Sequence, residues 1–260
     1  MHTIESYKQF RGFVFDLDDT LLDNSGGPNG TPLHAVSKFA AFRSAALLFG
    51  IEALEYVTVE QERAAFRRAS EHNLRGGLRS LFEEICPNIT ESEFDELYEY
   101  IKAQKKELHL GVMEEYVKPI KGAREIIRLL ASRGYADRQA IASGAHRDEI
   151  LLFLTLSKLD RYFTDKRIIG QEDVSLGKPS PEGMLMAAES MRRVPGDERP
   201  VLVFEDDPKG FEAARNADMW VVGLTTRYSE EEILKCATVP DLIVPDLATA
   251  IGVLGIRAGL

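Results

Sequence analysis

The chain has 260 residues, 44% hydrophobic and 28% charged, the balance of a soluble globular protein long enough for a large core or for one domain with a substantial insertion. A formal net charge of −10 argues against non-specific nucleic-acid binding, which needs basic surface to displace counterions, but leaves room for a small anionic substrate met by one local Lys or Arg. The opening MHTIESYKQF lacks the basic start and apolar stretch of a signal peptide, and no apolar run, LLFLTL at 151–156 included, approaches a membrane span.

The two cysteines, Cys86 and Cys236, lie far apart without metal-ligand spacing and read as buried thiols of a reducing compartment. These features point to a soluble cytoplasmic protein with no membrane, nucleic-acid or obligate protein partner in evidence.

In chain order, Phe13, Val14 and Phe15 form a short apolar run that reads as a buried strand. DNSGGPNGTP, after Leu22, is the strongest break in the sequence, since Gly26, Gly27, Pro28 and Gly30 suit neither a helix nor a central strand. A helical region follows to about residue 115, with capping-box patterns at Thr58/Gln61 and Thr90/Glu93 and an apolar stripe of Phe94, Leu97, Ile101 and Leu108. Residues 24–115 are expected to form a helical domain inserted into a larger one, made of 1–23 and 116–260. From Val117 onward helices alternate with short apolar strands: a helix ending at Gly134, strands at 138–143, 167–170, 201–206, 220–225 and 241–246, and helix starts at Ser180–Pro181 and Asp207–Pro208. That alternation predicts an α/β core, a parallel sheet with helices on both faces.

Chemistry concentrates at the strand ends. Asp16, Asp18 and Asp19 follow the first strand, and carboxylates so bunched repel one another and lose hydration unless a cation or positive partner compensates. The carboxyl ends of strands are where ligands bind in open α/β sheets. Ser143 and Gly144 close the 138–143 strand, where a hydroxyl and backbone amides can cradle a phosphate, although a plain helix cap explains Ser143 as well. Lys178 in GKPSPEG is by itself no more than a solvated lysine. Glu205 and Asp206 end VLVFED with the hard oxygens that Mg²⁺ prefers, although a polar strand end feeding the Asp207 cap would look the same.

Together, in this order, these segments resemble the motifs of the haloacid dehalogenase superfamily: Asp-x-Asp-x-Thr at Asp16–Thr20, Ser143, Lys178 before Pro179, and FEDDPKGFEAARNADM. The resemblance implies a Rossmann-like core and an aspartyl-phosphate mechanism. In it Asp16 is the nucleophile and Asp18 the general acid and base. Ser143, Gly144 and Lys178 bind phosphate, and Mg²⁺ is held by Asp16, the Asp18 backbone carbonyl, Glu205 and Asp206. Asp207 stands where many relatives have Ser or Thr and is expected to cap a helix.

An insertion directly after the first motif resembles the helical cap of the β-phosphoglucomutase and phosphoglycolate phosphatase branch. Gly76, Gly77 and Arg79 loosely resemble an anion-binding element of mutase-like caps, with Arg75 nearby; an exposed arginine at a helix start is the plain alternative. The expected activity is hydrolysis of a small phosphorylated metabolite. The rivals are a sugar-phosphate mutase and a non-catalytic binding protein of the same fold. Dehalogenation is disfavoured, because dehalogenating members lack an acid at the position of Asp18.

Overall fold

The computed structural model describes residues 4–69 and 74–256, in two compact units: Met1–Asn24 with Val117–Leu260, and Ser25–Tyr116. Among the described residues, the first unit holds eight strands. Six form one parallel sheet: β1 (Gly12–Phe15), β4 (Gln139–Ala142), β5 (Ile168–Ile169), β6 (Val201–Glu205), β7 (Trp220–Leu224) and β8 (Leu242–Val244), in the order β5-β4-β1-β6-β7-β8. The other two, β2 (Leu22–Asp23) and β3 (Lys118–Pro119), make a short antiparallel ladder in which Leu22 faces Pro119 and Asp23 faces Lys118.

β1 sits in the middle of the sheet. Phe13, Val14 and Phe15 pair with Gln139, Ala140 and Ile141 on one side and with Leu202, Val203 and Phe204 on the other. An unbroken apolar run is what such a position requires, because a central parallel strand is covered on both faces. Val14 joins Ala140, Val203, Phe211 and Ala213 in one core layer. Phe15, pointing the other way, stacks on Phe204 with ring centroids 4.9 Å apart.

The second unit is helical: α1 (Leu33–Phe49), α2 (Val59–Arg68), α3 (Leu74–Ile85) and α4 (Glu91–Tyr116). Phe42, Leu78, Phe82, Phe94, Leu97 and Ile101 fill its interior, and α1 packs along α4. The Thr58/Gln61 capping box is present at the start of α2, and the Thr90 and Glu93 side chains exchange bonds with each other's amides at the start of α4.

The helices of the first unit are α5 (Ala123–Leu130), α6 (Arg147–Leu156), α7 (Glu182–Ser190), α8 (Pro208–Asn216), α9 (Glu230–Ile233) and α10 (Leu247–Val253). α5 ends before the expected Gly134, giving way to a wider turn over Ala131–Tyr135 in which Gly134 takes the left-handed conformation. Both cysteines are free and half-buried, against the expectation of buried thiols. No helix among the described residues is long and apolar enough to cross a membrane.

Candidate active site

Asp16 is the first residue beyond β1, 5% exposed, with its amide bonded to the Phe204 carbonyl at 3.0 Å. The chain then turns sharply: the Leu17 carbonyl accepts the amides of Leu21 and Leu22, both at 2.9 Å. Asp19 takes a left-handed φ of 53° in this turn, a conformation that Asp tolerates better than most residues. Asp18 is half-buried and close enough for its charge to act on Asp16.

One strand over, Glu205 and Asp206 lie at the end of β6, with 0% and 2% exposure. Glu205 Oε2 accepts the amides of Asp206 at 2.9 Å and Asp207 at 3.1 Å, so the carboxylate organises its own turn. A Cβ on Gly210, in the first turn of α8, would fall 1.9 Å from Glu205 Oε1. A side chain there would evict the acid. Asp207 caps α8 by accepting the Lys209 amide at 2.9 Å, and Thr20 donates its hydroxyl proton to Asp206 Oδ1 at 3.3 Å.

Lys178, 162 residues from Asp16 in sequence, donates to Asp16 Oδ1 at 2.5 Å and to Glu205 Oε1. Oxygens of Asp16, Glu205 and Asp206 all lie within 4.8 Å of one another. Three buried carboxylates thus surround one ammonium, an excess of negative charge that burial makes costly. Burial lifts the Asp16 carboxyl well above the ordinary carboxylate range; Lys178 opposes the lift, and Glu205 and Asp18 add to it. Burial, then Glu205 and Asp16, push Asp206 up to about 10. Burial also works against charge on Lys178, but its two acid partners win and hold the ammonium above its usual range. A divalent cation would relieve this imbalance, and hard carboxylate oxygens are the donors that Mg²⁺ takes. The donor set therefore fits such an ion, with Asp16 and Asp206 the freer ligands, because both Glu205 oxygens already accept hydrogen bonds.

Ser143 follows β4 directly. Its amide bonds to the Ile169 carbonyl at 3.0 Å and its hydroxyl accepts the Ala145 amide at 3.1 Å. It is not the helix cap: α6 begins four residues later and His146 occupies the cap position. A Cβ on Gly144 would meet nothing within 4 Å, so the space before that backbone is open. Both residues and Lys178 line one cavity. Arg79, in α3 of the helical unit, forms an ion pair with Glu91 and lies over the Phe94 ring, 3.6 Å from its centroid. Arg75 pairs with Glu91 and Asp95.

Sequence reasoning passed over Thr226 and Arg227, which follow β7. The Thr226 hydroxyl donates to the Asp19 carbonyl at 2.5 Å, and Arg227 donates to Asp207 Oδ2 at 2.9 Å. The available signal was position, since the carboxyl end of β7 neighbours that of β6.

Comparison with known proteins agrees with this layout. A family profile described as haloacid dehalogenase-like hydrolase matches residues 10–218. Validoxylamine A 7'-phosphate phosphatase of Streptomyces hygroscopicus subsp. limoneus is 38% identical over 80 residues, 31% of this chain and 34% of that protein. The mitochondrial (DL)-glycerol-3-phosphatase 1 of Arabidopsis thaliana is 36% identical over 103 residues, 39% of this chain and 34% of the relative. Each match thus spans about a third of the relative's length. The crystal structure of a HAD hydrolase of family IA, variant 3, from Entamoeba histolytica HM-1:IMSS shares the fold, with a TM-score of 0.67 at 18% identity over 94% of this chain and 98% of that one. With the family profile spanning the first strand, the inserted helices and the acidic pair at the end of β6, the chain belongs to the haloacid dehalogenase-like hydrolases.

Proposed function

We propose that the protein is a Mg²⁺-dependent phosphatase that hydrolyses a small phosphorylated metabolite through an aspartyl-phosphate on Asp16. The observation that carries this reading is the meeting of Lys178, from the loop before α7, with Asp16, Glu205 and Asp206 at the ends of the adjacent strands β1 and β6. The phosphatase names of the two relatives support it.

In this reading an Asp16 oxygen bonds to phosphorus while the bond from phosphorus to the ester oxygen breaks. Asp18 gives its proton to the departing alcohol. Asp18, now ionised, takes a proton from water; the hydroxide attacks phosphorus, and the bond to Asp16 breaks to release phosphate. Lys178, the Ser143 hydroxyl and the amides around Gly144 hold the phosphoryl oxygens, where charge grows in the transition state. Asp16, Asp206, the Asp18 carbonyl and Glu205 would hold Mg²⁺, which when bound neutralises the phosphoryl negative charge. The helical unit serves as the cap that excludes water and reads the leaving group. Arg79 is its candidate anion contact, and an anion reaches it by displacing Glu91.

The test is phosphate release from sugar phosphates, nucleotides and small phosphorylated acids, with and without Mg²⁺. The wild type releases phosphate. Asp16→Asn lowers kcat by about a thousandfold or more and keeps the wild-type thermal transition. An Asp16→Asn variant with the wild-type rate, or phosphate migrating within a sugar instead of being freed, overturns the reading.

A further inference from the structure

We propose that Arg147 and Glu172 are positioning residues: together they clasp the loop that carries Ser143 and Gly144 to the loop that leads to Lys178, and so fix the spacing of the groups that hold the phosphoryl oxygens. The inference rests on the phosphatase reading above and deepens it.

The two loops leave the neighbouring parallel strands β4 and β5 at the same edge of the sheet. One runs from Ser143 into α6, the other from Gly170 into α7. The Ala145 carbonyl of the first accepts the Gln171 amide of the second at 2.9 Å. Each loop then sends a charged side chain across to the other. Glu172 Oε2 accepts the Arg147 amide at 3.1 Å, and Glu172 Oε1 lies 2.5 Å from His146 Nδ1. Arg147 reaches back, donating to the Ile168 carbonyl at 2.8 Å and to Asp173 Oδ2 at 2.9 Å. It also donates to the Asp165 carbonyl at 2.6 Å and to Asp165 Oδ1 at 2.7 Å. A planar guanidinium aims several donors in fixed directions, which a lysine ammonium cannot reproduce, and bonds between charged partners are the strong ones.

Further along the second loop, Glu182 at the start of α7 accepts the amides of Ser175 and Leu176 at 2.9–3.1 Å. The segment before Lys178 is therefore anchored to α6 by the clasp and to α7 by Glu182. A cavity of about 360 Å³ lies between the loops, lined by Ser143 and Gly144 from one and by Gln171, Ser175 and Lys178 from the other. Its width is the separation that the clasp sets. Donors to a transferring group lose much of their effect when displaced by about 1 Å, so the clasp acts on binding and chemistry as well as on stability.

Gly170 allows the spacing to be changed without removing a charge. A Cβ there would sit 3.2 Å from Glu172 Oε2 and 3.3 Å from both the Ala145 carbonyl oxygen and the Arg147 amide nitrogen, tight enough to wedge the loops apart. Its φ of −103° suits any residue, so Gly170→Ala adds no backbone strain. Asp197 supplies the control. It is held by Arg199 at 2.7 Å and Arg138 at 3.5 Å, in a knot that precedes β4 and β6 and so lies at the opposite edge of the sheet.

The experiment titrates each variant with inorganic phosphate in the presence of Mg²⁺ by calorimetry and records its melting temperature. Arg147→Met is expected to weaken phosphate binding by about tenfold, Arg147→Lys to recover only part of the loss, and Gly170→Ala to weaken it by about threefold or more. Asp197→Asn is expected to lower the melting temperature while binding phosphate within about twofold of wild type. Gly170→Ala or a folded Arg147→Met with affinity within about twofold of wild type overturns the proposal, as does an Asp197→Asn that loses as much affinity as Arg147→Met. If Arg147→Met does not fold, Gly170→Ala decides alone. Failure of the wild type itself to bind phosphate instead removes the phosphatase reading, and the positioning role with it.

Discussion

The hydroxyl of Thr226 meets the carbonyl of Asp19 at 2.5 Å, joining residues 207 positions apart and tying the end of β7 to the turn that presents Asp16 and Asp18. The next residue, Arg227, bonds to Asp207 at the start of α8. Two adjacent residues thus fasten both acid-bearing loops.

Thr226→Val keeps the side-chain shape and removes the donor. A net loss of about 1 kcal/mol in stability is expected for one such hydrogen bond. The Asp19 turn, no longer pinned in its left-handed conformation, presents Asp18 less accurately, and kcat is expected to fall by about tenfold with KM little changed. Denaturant titration and steady-state phosphate release measure the two effects separately.

Replacing Lys178 with Met leaves Asp16, Glu205 and Asp206 facing one another without a counter-charge. Breaking a buried ion pair from one side costs about 3–5 kcal/mol. Added Mg²⁺ is expected to restore much of that stability but little of the activity, because kcat loses the donor that stabilises the transferring group, by about a hundredfold or more. Urea unfolding with and without Mg²⁺, beside kcat, checks both parts. A variant as stable as wild type in chelator would mean that the ammonium does not balance the acids.

Gly210→Ala is expected to harm function although Ala is the better helix former. The added carbon lands on the Glu205 carboxylate, which must swing away from Lys178 and from the amides of Asp206 and Asp207. A drop of about tenfold or more in kcat is expected, with any gain in helix propensity, about 1 kcal/mol, absorbed by the clash. An Ala variant with wild-type kcat would show that the position of Glu205 is unimportant.

Acidity and metal binding are linked through Asp206. Its carboxyl is raised from 3.8 to about 10, so without a divalent ion the folded protein carries a proton there that the unfolded chain gives up. That contribution to stability is full below about pH 4 and fades as the pH rises toward 10. Mg²⁺ must displace the proton, so its apparent affinity is expected to strengthen with pH, by up to about tenfold per unit for one proton released. Calorimetric titration at pH 6, 7 and 8 in buffers of different ionisation enthalpy counts that proton. A pH-independent affinity with no proton release would place Asp206 in its ionised form before the metal arrives.

Asp16, Glu205 and Asp206 were legible in the sequence because acids abut the end of an apolar strand, where a charge without a task is costly, whereas Lys178, by itself a solvated lysine, stood out only through its resemblance to a family motif. That β1 is a buried strand was legible for the same reason, as Phe13–Phe15 has no polar face to offer water; its central place in the sheet was not. Thr226 and Arg227 were not, since a Thr-Arg pair after a strand is ordinary and its partners lie 207 and 20 positions away. Gly210 looked like any glycine in a helix until the Glu205 carboxylate was seen beside its missing side chain. The β2–β3 ladder escaped because two residues a strand give no periodicity to detect.

That small ladder also explains how the fold tolerates a long detour. Leu22 with Asp23 and Pro119 with Lys118 run antiparallel side by side, so the chain leaves the α/β unit and re-enters it at neighbouring points. Ends already joined like the two stems of a hairpin put no tension on the sheet, whatever length is spliced between them. The strand ends that carry Asp16 and Glu205 therefore keep their register whatever the length of the segment spliced between the two stems.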